Sequence, residues 1–376
     1  MRPRMTGSIN ICLLLAGISV VAMLQGATPV RLVYPNGLAL DDKGDLYISD
    51  IGSHAVFKLD RQGALRVIAG TGEAGYSGDG GPAVKARLHA PHDLTFDTEG
   101  RLLIADTYNH RIRRIDSHGV ITTVAGNGSA PNTGYGSAAP KDTLNNPQGV
   151  AVDRAGNILI ADTYNRVVRR VDAGGTMTII AGSVAGLNGD GGPANEAQLN
   201  LPMAVVASPD GSVYVTDAGN SRIRQIMTDG KIQTVAGFGG GDGLGGAGFA
   251  GDGGPAGKAK LFSPADVKVD TAGSLYISDS GNNRIRVISG RRAGAITTIA
   301  GSGRRGFSGD GKEAVTADLN TPQKIAIAKD GSVFIADRGN QRVRRIDPRG
   351  IIQTVAGAGQ PAGQSAGMLL EPEVIR

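Results

Sequence analysis

A stretch of about 36 residues recurs along this chain, and that recurrence limits the possible folds more than any other feature. Its clearest copy runs from Pro147 to Gly182: Pro-Gln-Gly-Val-Ala-Val-Asp, Ile-Leu-Ile-Ala-Asp-Thr-Tyr-Asn, Arg-Val-Val-Arg-Arg-Val-Asp and Met-Thr-Ile-Ile-Ala-Gly. The four runs have the β-branched, partly alternating character of strands. The connectors Asp153-Arg-Ala-Gly156, Asp162-Thr-Tyr-Asn165 and Asp172-Ala-Gly-Gly175 have turn chemistry. One copy therefore predicts a four-stranded antiparallel meander. An Asp-x-x-Asn core marks the copies at Asp106/Asn109, Asp162/Asn165, Asp217/Asn220, Asp279/Asn282 and Asp337/Asn340, with a worn version at Asp50/Ser53. The aspartates are 56, 56, 55, 62 and 58 residues apart, and each copy closes on a glycine: Gly70, Gly126, Gly182, Gly237, Gly301 or Gly357.

A single such sheet cannot bury both faces, so successive copies must pack radially, and six copies predict an all-β, six-bladed β-propeller. The blades fall at about 35–70, 91–126, 147–182, 202–237, 264–301 and 322–357, within a propeller region of 28–376, and 358–376 form a tail. The pattern Pro-x-x-Val-x-Val-Asp, Leu-Tyr-Ile-Ala-Asp-x-x-Asn-x-Arg-Ile-Arg resembles the NHL-repeat family over nearly the whole chain after its first thirty residues. That resemblance implies a six-bladed propeller used mostly for binding, in an exported, bacterial-type member. The motif is specific for fold and says little about function.

Residues 1–27 differ in kind. Arg2 and Arg4 precede an apolar run from Ile9 to Leu24, followed by Gln25-Gly26-Ala27, the layout of a secretory signal peptide. An uncleaved anchor is the alternative, and the run is short for one. The expectation is export to the periplasm or the extracellular space. Cys12, the only cysteine, lies inside this leader, so a mature chain has neither disulfide nor thiol chemistry. Cleavage removes two arginines and no acids, leaving Lys+Arg 37 against Asp+Glu 34, a net charge of +3. So small an excess gives no general argument for nucleic acid or an anionic membrane as partner. Glycine is abundant, at 59 residues, and tryptophan is absent, which argues against a carbohydrate platform of exposed indoles.

The most repeated polar set is Asp106/Asn109/Arg111, Asp162/Asn165, Asp217/Asn220/Arg222, Asp279/Asn282/Arg284 and Asp337/Asn340/Arg342. One set per blade is what packing requires, so it is expected to be structural. Aspartate and asparagine should satisfy the hairpin turn, with the arginine in a charge-assisted pair between blades. Blades one and three depart from the pattern, with Ala55 and Val167 at the arginine position, and should be paired differently. Arginine-rich third strands such as Arg113-Arg114 raise RNA, but stacking aromatics are few and export argues against it. Threonine-rich outer strands such as Ile121-Thr-Thr-Val124 leave sheet edges open to pairing, a possible contact surface.

Connectors carry Gly-Asp-Gly-Gly-Pro-Ala or its relatives at Asp79, Asp190, Asp252 and Asp310. One turn of helix should begin at Pro82, Pro193 or Pro255, with each aspartate binding nearby backbone N–H groups. Calcium needs six to eight oxygens and each loop offers one carboxylate, so turn formation is the stronger reading.

The channel mouth varies most freely. The residues after each repeat proline, Asn36, His92, Asp93, Gln148, Asp266, Gln323 and Lys324, should converge as a polar ring, the best candidate ligand site. Gluconolactonase-like hydrolases hold a channel metal with carboxylate and amide groups, which Asn36, Asp93 and Asp266 could imitate. The three-histidine zinc site of amidating-lyase-like propellers looks absent, since only His92 and the nearby His89 are available. His54, His110 and His118 fall on turns and are expected to be solvated. No resident cofactor is expected, with calcium or zinc kept as the alternative. The reading is a binding or scaffold module for a protein, peptide or small ligand. A metal-dependent hydrolase or lyase, and a self-assembling surface protein, are the competitors.

Overall fold

In the computed structural model residues 31–130, 143–238, 248–290 and 294–357 are described. The leader with Cys12, most of the second connector, the glycine-rich insertion after Phe238 and the tail beyond Gly357 lie outside them. Six sheets follow one another in chain order, each built on a four-stranded antiparallel meander whose strands pair with their sequence neighbours. The inner strands are Pro35–Leu40, Pro91–Phe96, Pro147–Val152, Pro202–Ala207, Asp266–Val269 and Pro322–Ile327. The outer strands are Leu65–Ala69, Ile121–Ala125, Met177–Ala181, Ile232–Ala236, Ile296–Ala300 and Ile351–Ala356. This is an all-β, six-bladed propeller. Among the described residues no helix is long and apolar enough to cross a membrane.

Both faces of each sheet are apolar because both are covered. Leu88, Leu94 and Ile104 pack with Val56 and Ala69 of the preceding blade, and Leu261, Val267 and Ile277 with Ile223 and Ala236. Blades meet closely at the channel. A Cβ added to Gly37 would lie 2.6 Å from Ser49 Oγ and 2.7 Å from the His92 carbonyl oxygen, so only glycine permits that approach.

Among the described residues four connectors enter a three-residue 3₁₀ turn, Ala83–Lys85, Ala194–Glu196, Ala256–Lys258 or Ala314–Thr316. Just before it, the connector lies along the outer strand of the blade it leads into. Gly80 N–H donates to the Ile121 carbonyl and Ile121 N–H to that of Gly81, and the same exchange joins Gly191 and Gly192 to Ile232. In blade six the pairing lengthens into a fifth strand, Lys312–Glu313. The open outer edges expected from the threonine-rich runs are therefore capped at their first residues in blades two, four, five and six.

The buried polar network uses a different arginine from the one expected. Arg113, Arg169, Arg224, Arg286 and Arg344, two residues further along the third strand, are at most 1% exposed. In blade two Arg113 donates to Asp106 at 3.2 Å, to Asp79 at 2.6 Å and to the Ser77 carbonyl at 3.1 Å. Asp106 also accepts from His89 N–H and Asn109 Nδ2, both at 2.8 Å. Arg111, Arg284 and Arg342 instead lie on connector rings, their guanidinium carbons 3.7, 3.6 and 3.9 Å from the centroids of Tyr76, Phe249 and Phe307. Both positions lie on one strand face. The mid-strand residue faces the connector carboxylate and the turn carboxylate together, whereas the strand-end residue meets carbonyls instead: Arg111 donates to those of Asn109 and Asn127 at 3.0 and 2.8 Å. Blade one has Phe57 in place of the buried arginine. There Asp50 accepts four backbone N–H groups, from Val33, Tyr34, Gly52 and Ser53.

Burial pushes the carboxyls of Asp106, Asp217, Asp279 and Asp337 up to about 6, against the asparagine, backbone and arginine donors that favour the ionised form. At neutral pH they remain carboxylates facing arginine. Removing one partner of such a pair strands a buried charge. Arg113→Met should therefore cost about 3–5 kcal/mol, whereas Arg111→Ala, losing a partly exposed ring contact and two hydrogen bonds to carbonyls but stranding no buried charge, should cost about 1–2 kcal/mol. Urea unfolding midpoints of the two variants check this, and equal losses would contradict the assignment.

Candidate functional site

Every inner strand begins on the same face of the propeller, here called the upper face. The seven mouth residues expected from sequence do gather at the channel, and all are at most 9% exposed. Six of them bind one another or neighbouring groups, while Gln148 Oε1 is buried without a hydrogen-bond partner among the described residues. Lys324 of blade six reaches across the channel. Its Nζ donates to the Met203 carbonyl of blade four at 2.9 Å and stands 3.4 Å from Asp93 of blade two and 3.8 Å from Asp266 of blade five. Asp93 Oδ2 accepts from Val150 N–H of blade three at 3.2 Å, and Asp266 Oδ2 from Ile325 N–H of blade six at 2.8 Å. The two carboxylates thus splice adjacent inner strands while sharing one ammonium.

Lys268 Nζ adds a second positive charge 3.7 Å from Asp266. Burial pushes the Asp266 carboxyl up, with the ammonium groups of Lys268 and Lys324 opposing it. Against its own burial, Lys268 is held above the usual lysine range by Asp266 and Asp93. Two acidic and two basic side chains thus share one buried cluster. Lys268, held up in this way, is a poor base or nucleophile.

Asn36 does not join Asp93 and Asp266 in a common set. Its amide donates to the His92 carbonyl at 2.7 Å, and Gln323 donates to Ser280 Oγ at 3.2 Å. Among the described residues no group of three or more histidine, cysteine, aspartate or glutamate side chains is placed to hold a metal. The repeated asparagines Asn109, Asn220, Asn282 and Asn340 donate to the aspartate of their own turn and to the connector carbonyls of Gly75, Gly186, Gly248 and Gly306. Asn165 donates to Asp162 at 2.8 Å, and Arg222 donates to Thr234 Oγ1 at 3.4 Å.

A second cluster was not singled out from sequence. His54 meets His89 edge-to-face with centroids 5.5 Å apart, His89 meets Tyr108 at 5.1 Å, and Tyr108 meets His92 at 6.2 Å. This chain of rings runs from the upper rim of blades one and two to the channel mouth. Tyr108 sits in the middle of the 3₁₀ turn Thr107–Asn109, as Tyr164 does in Thr163–Asn165. The corresponding residues of the later blades are Gly219, Gly281 and Gly339, so ring surface on these turns is confined to blades two and three. That alternation is visible in the repeats once they are aligned on the turn. His54 and His110, expected to be solvated, are instead partly buried hydrogen-bond acceptors, as described below.

The fold and the repeated turn network define a repeat propeller, and comparison with known proteins places it further. The teneurin NHL domain profile matches residues 66–133 and 302–366, and the NHL repeat profile matches 144–166 and 263–288. The chain belongs to the NHL-repeat propellers. It is similar to Teneurin-1 of Mus musculus, with 31% identity over 68% of this chain, and spans only 10% of that protein. It is also similar to the chloroplastic protein SUPPRESSOR OF QUENCHING 1 of Arabidopsis thaliana, with 28% identity over 84% of this chain and 30% of that protein. Among solved structures, a streptogramin B lyase superposes with TM-score 0.54 at 14% identity, covering 90% of this chain and 87% of the other. An auxiliary nutrient binding protein from Bacteroides ovatus gives 0.59 at 17% identity, covering 86% and 70%. At such identities these two likenesses speak for the fold alone.

The shared ammonium makes a sharp test. Lys324→Met leaves Asp93 and Asp266 buried without their common counter-charge, and should lower stability by about 3–5 kcal/mol. Adding Asp266→Asn to that variant should recover part of the loss in thermal unfolding. No recovery would mean that Lys324 acts through its packing rather than its charge.

Proposed function

We propose that this chain is an exported binding module that takes a protein or peptide on the upper face of blades one to three. The observation that carries the reading is the unbroken chain of rings His54, His89, Tyr108 and His92 from rim to channel mouth. Tyrosine and histidine combine apolar ring area with a polar edge and lose little side-chain entropy on contact, the chemistry enriched at recognition surfaces. Membership of a family of interaction propellers supports the same reading.

The reading includes no resident metal and no catalysis in the channel. Lys324 already places a positive charge beside both carboxylates, where a cation would otherwise be needed. The connectors that cap four outer edges weigh against self-assembly through those edges. Export rests on the basic start and the apolar run from Ile9 to Leu24. Intact mass of the protein secreted with its own leader should correspond to cleavage after Ala27, and retention of the leader would favour the anchor.

The surface is tested with a displayed random-peptide library selected on the purified propeller. Selected peptides should lose at least tenfold in affinity for His89→Ala and Tyr108→Ala, while thermal unfolding shifts little. Binders indifferent to both substitutions would overturn the assignment of this face.

A further inference from the structure

We propose that the seams joining blades one to two and two to three are acid-sensitive latches, each closed by a histidine that must stay neutral. The latch recurs around the ring. In four blades the residue that closes the turn between the second and third strands has left-handed backbone, with φ of 48° at His54, 53° at His110, 54° at Ser221 and 52° at Asn283. Its side chain accepts the backbone N–H of the residue preceding the next blade's proline or inner strand. Ala90 N–H donates to His54 Nδ1 at 3.1 Å and Asn146 N–H to His110 Nδ1 at 3.1 Å. Ser263 N–H donates to Ser221 Oγ at 3.3 Å and Thr321 N–H to Asn283 Oδ1 at 2.9 Å. The receiving residues also have positive φ, 48° at Ala90, 48° at Asn146, 47° at Ser263 and 51° at Thr321. A non-glycine residue holds that conformation only where its surroundings compensate, and the latch is one such compensation.

Serine and asparagine accept at any ordinary pH, whereas imidazole accepts only when neutral. The imidazolium carries a proton on both nitrogens and faces the same N–H without a lone pair. Protonation therefore breaks the two histidine latches and leaves the other two intact. The neighbouring charges are unequal. Asp50 favours the charged form of His54, while Arg111 and His89 disfavour that of His110, and His89 packs against His54 and Tyr108.

Burial, ahead of these charges, lowers the affinity of His54, His89 and His110 for protons below the ordinary histidine value of 6.5. The folded state thus binds fewer protons than the unfolded chain. The stability contributed is fully present above pH 6.5 and is lost as pH falls through the folded-state values.

Amide hydrogen exchange of the full chain at pH 7.5 and pH 5 tests this, with Thr321 as a non-titrating internal standard in the same geometry. Protection of Ala90 and Asn146 relative to Thr321 should fall about tenfold on acidification, the equivalent of one hydrogen bond. The double variant His54→Asn/His110→Asn, which copies the acceptor of blade five, should show an unchanged ratio. A wild-type ratio indifferent to pH would overturn the proposal, as would equal acid sensitivity in the variant. The wild-type comparison decides the matter even if the variant does not fold.

Discussion

The structure depends on a buried carboxylate at the end of the second strand of each blade. Asp106 and its counterparts gather the chain entering the blade, the turn that follows and the third strand around one pair of oxygens. A buried charge is tolerable only when fully partnered, so the arginine opposite it cannot be moved by one position. In four blades that arginine extends the network to the connector aspartate, at Asp79, Asp190, Asp252 and Asp310. The connectors are thereby fixed to the outer rim, where they also cap the strand edges.

Function in such a molecule must come from breaks in the repetition. The channel holds one, where Lys324 alone spans from blade six towards blades two, four and five, turning a candidate ligand ring into a cross-brace. The upper face holds another. Tyrosine stands in the turns of blades two and three and glycine in those of the later blades, and the histidines cluster on the first two blades. The same region combines half-buried rings, contact with the channel mouth and the two histidine latches.

Much of the fold was legible in the sequence because the repeat is long and its punctuation strict. Proline opened five of the six inner strands, Asp-x-x-Asn marked the turn and Ala-Gly the close. The site was less legible. Period-two alternation puts Arg111 and Arg113 on the same face, and nothing local says which one meets Asp79, a residue more than thirty positions away. The mouth residues were correctly placed on the inner strands, but their orientation was not available. Whether Asn36 faces a ligand or the carbonyl of His92 depends on how closely two blades approach at Gly37.

Blade number, strand order and the position of the Asp-x-x-Asn turns were thus determined by the sequence alone, since local propensity and a fixed period act between near neighbours. Tertiary structure alone decided which arginine is buried, that the channel carboxylates share a lysine rather than converge as a metal set, and that His54 and His110 are acceptors in blade seams. Each of these outcomes joins groups about 35 to more than 230 residues apart in the chain. Such contacts depend on the curvature of the closed ring, which no single repeat encodes.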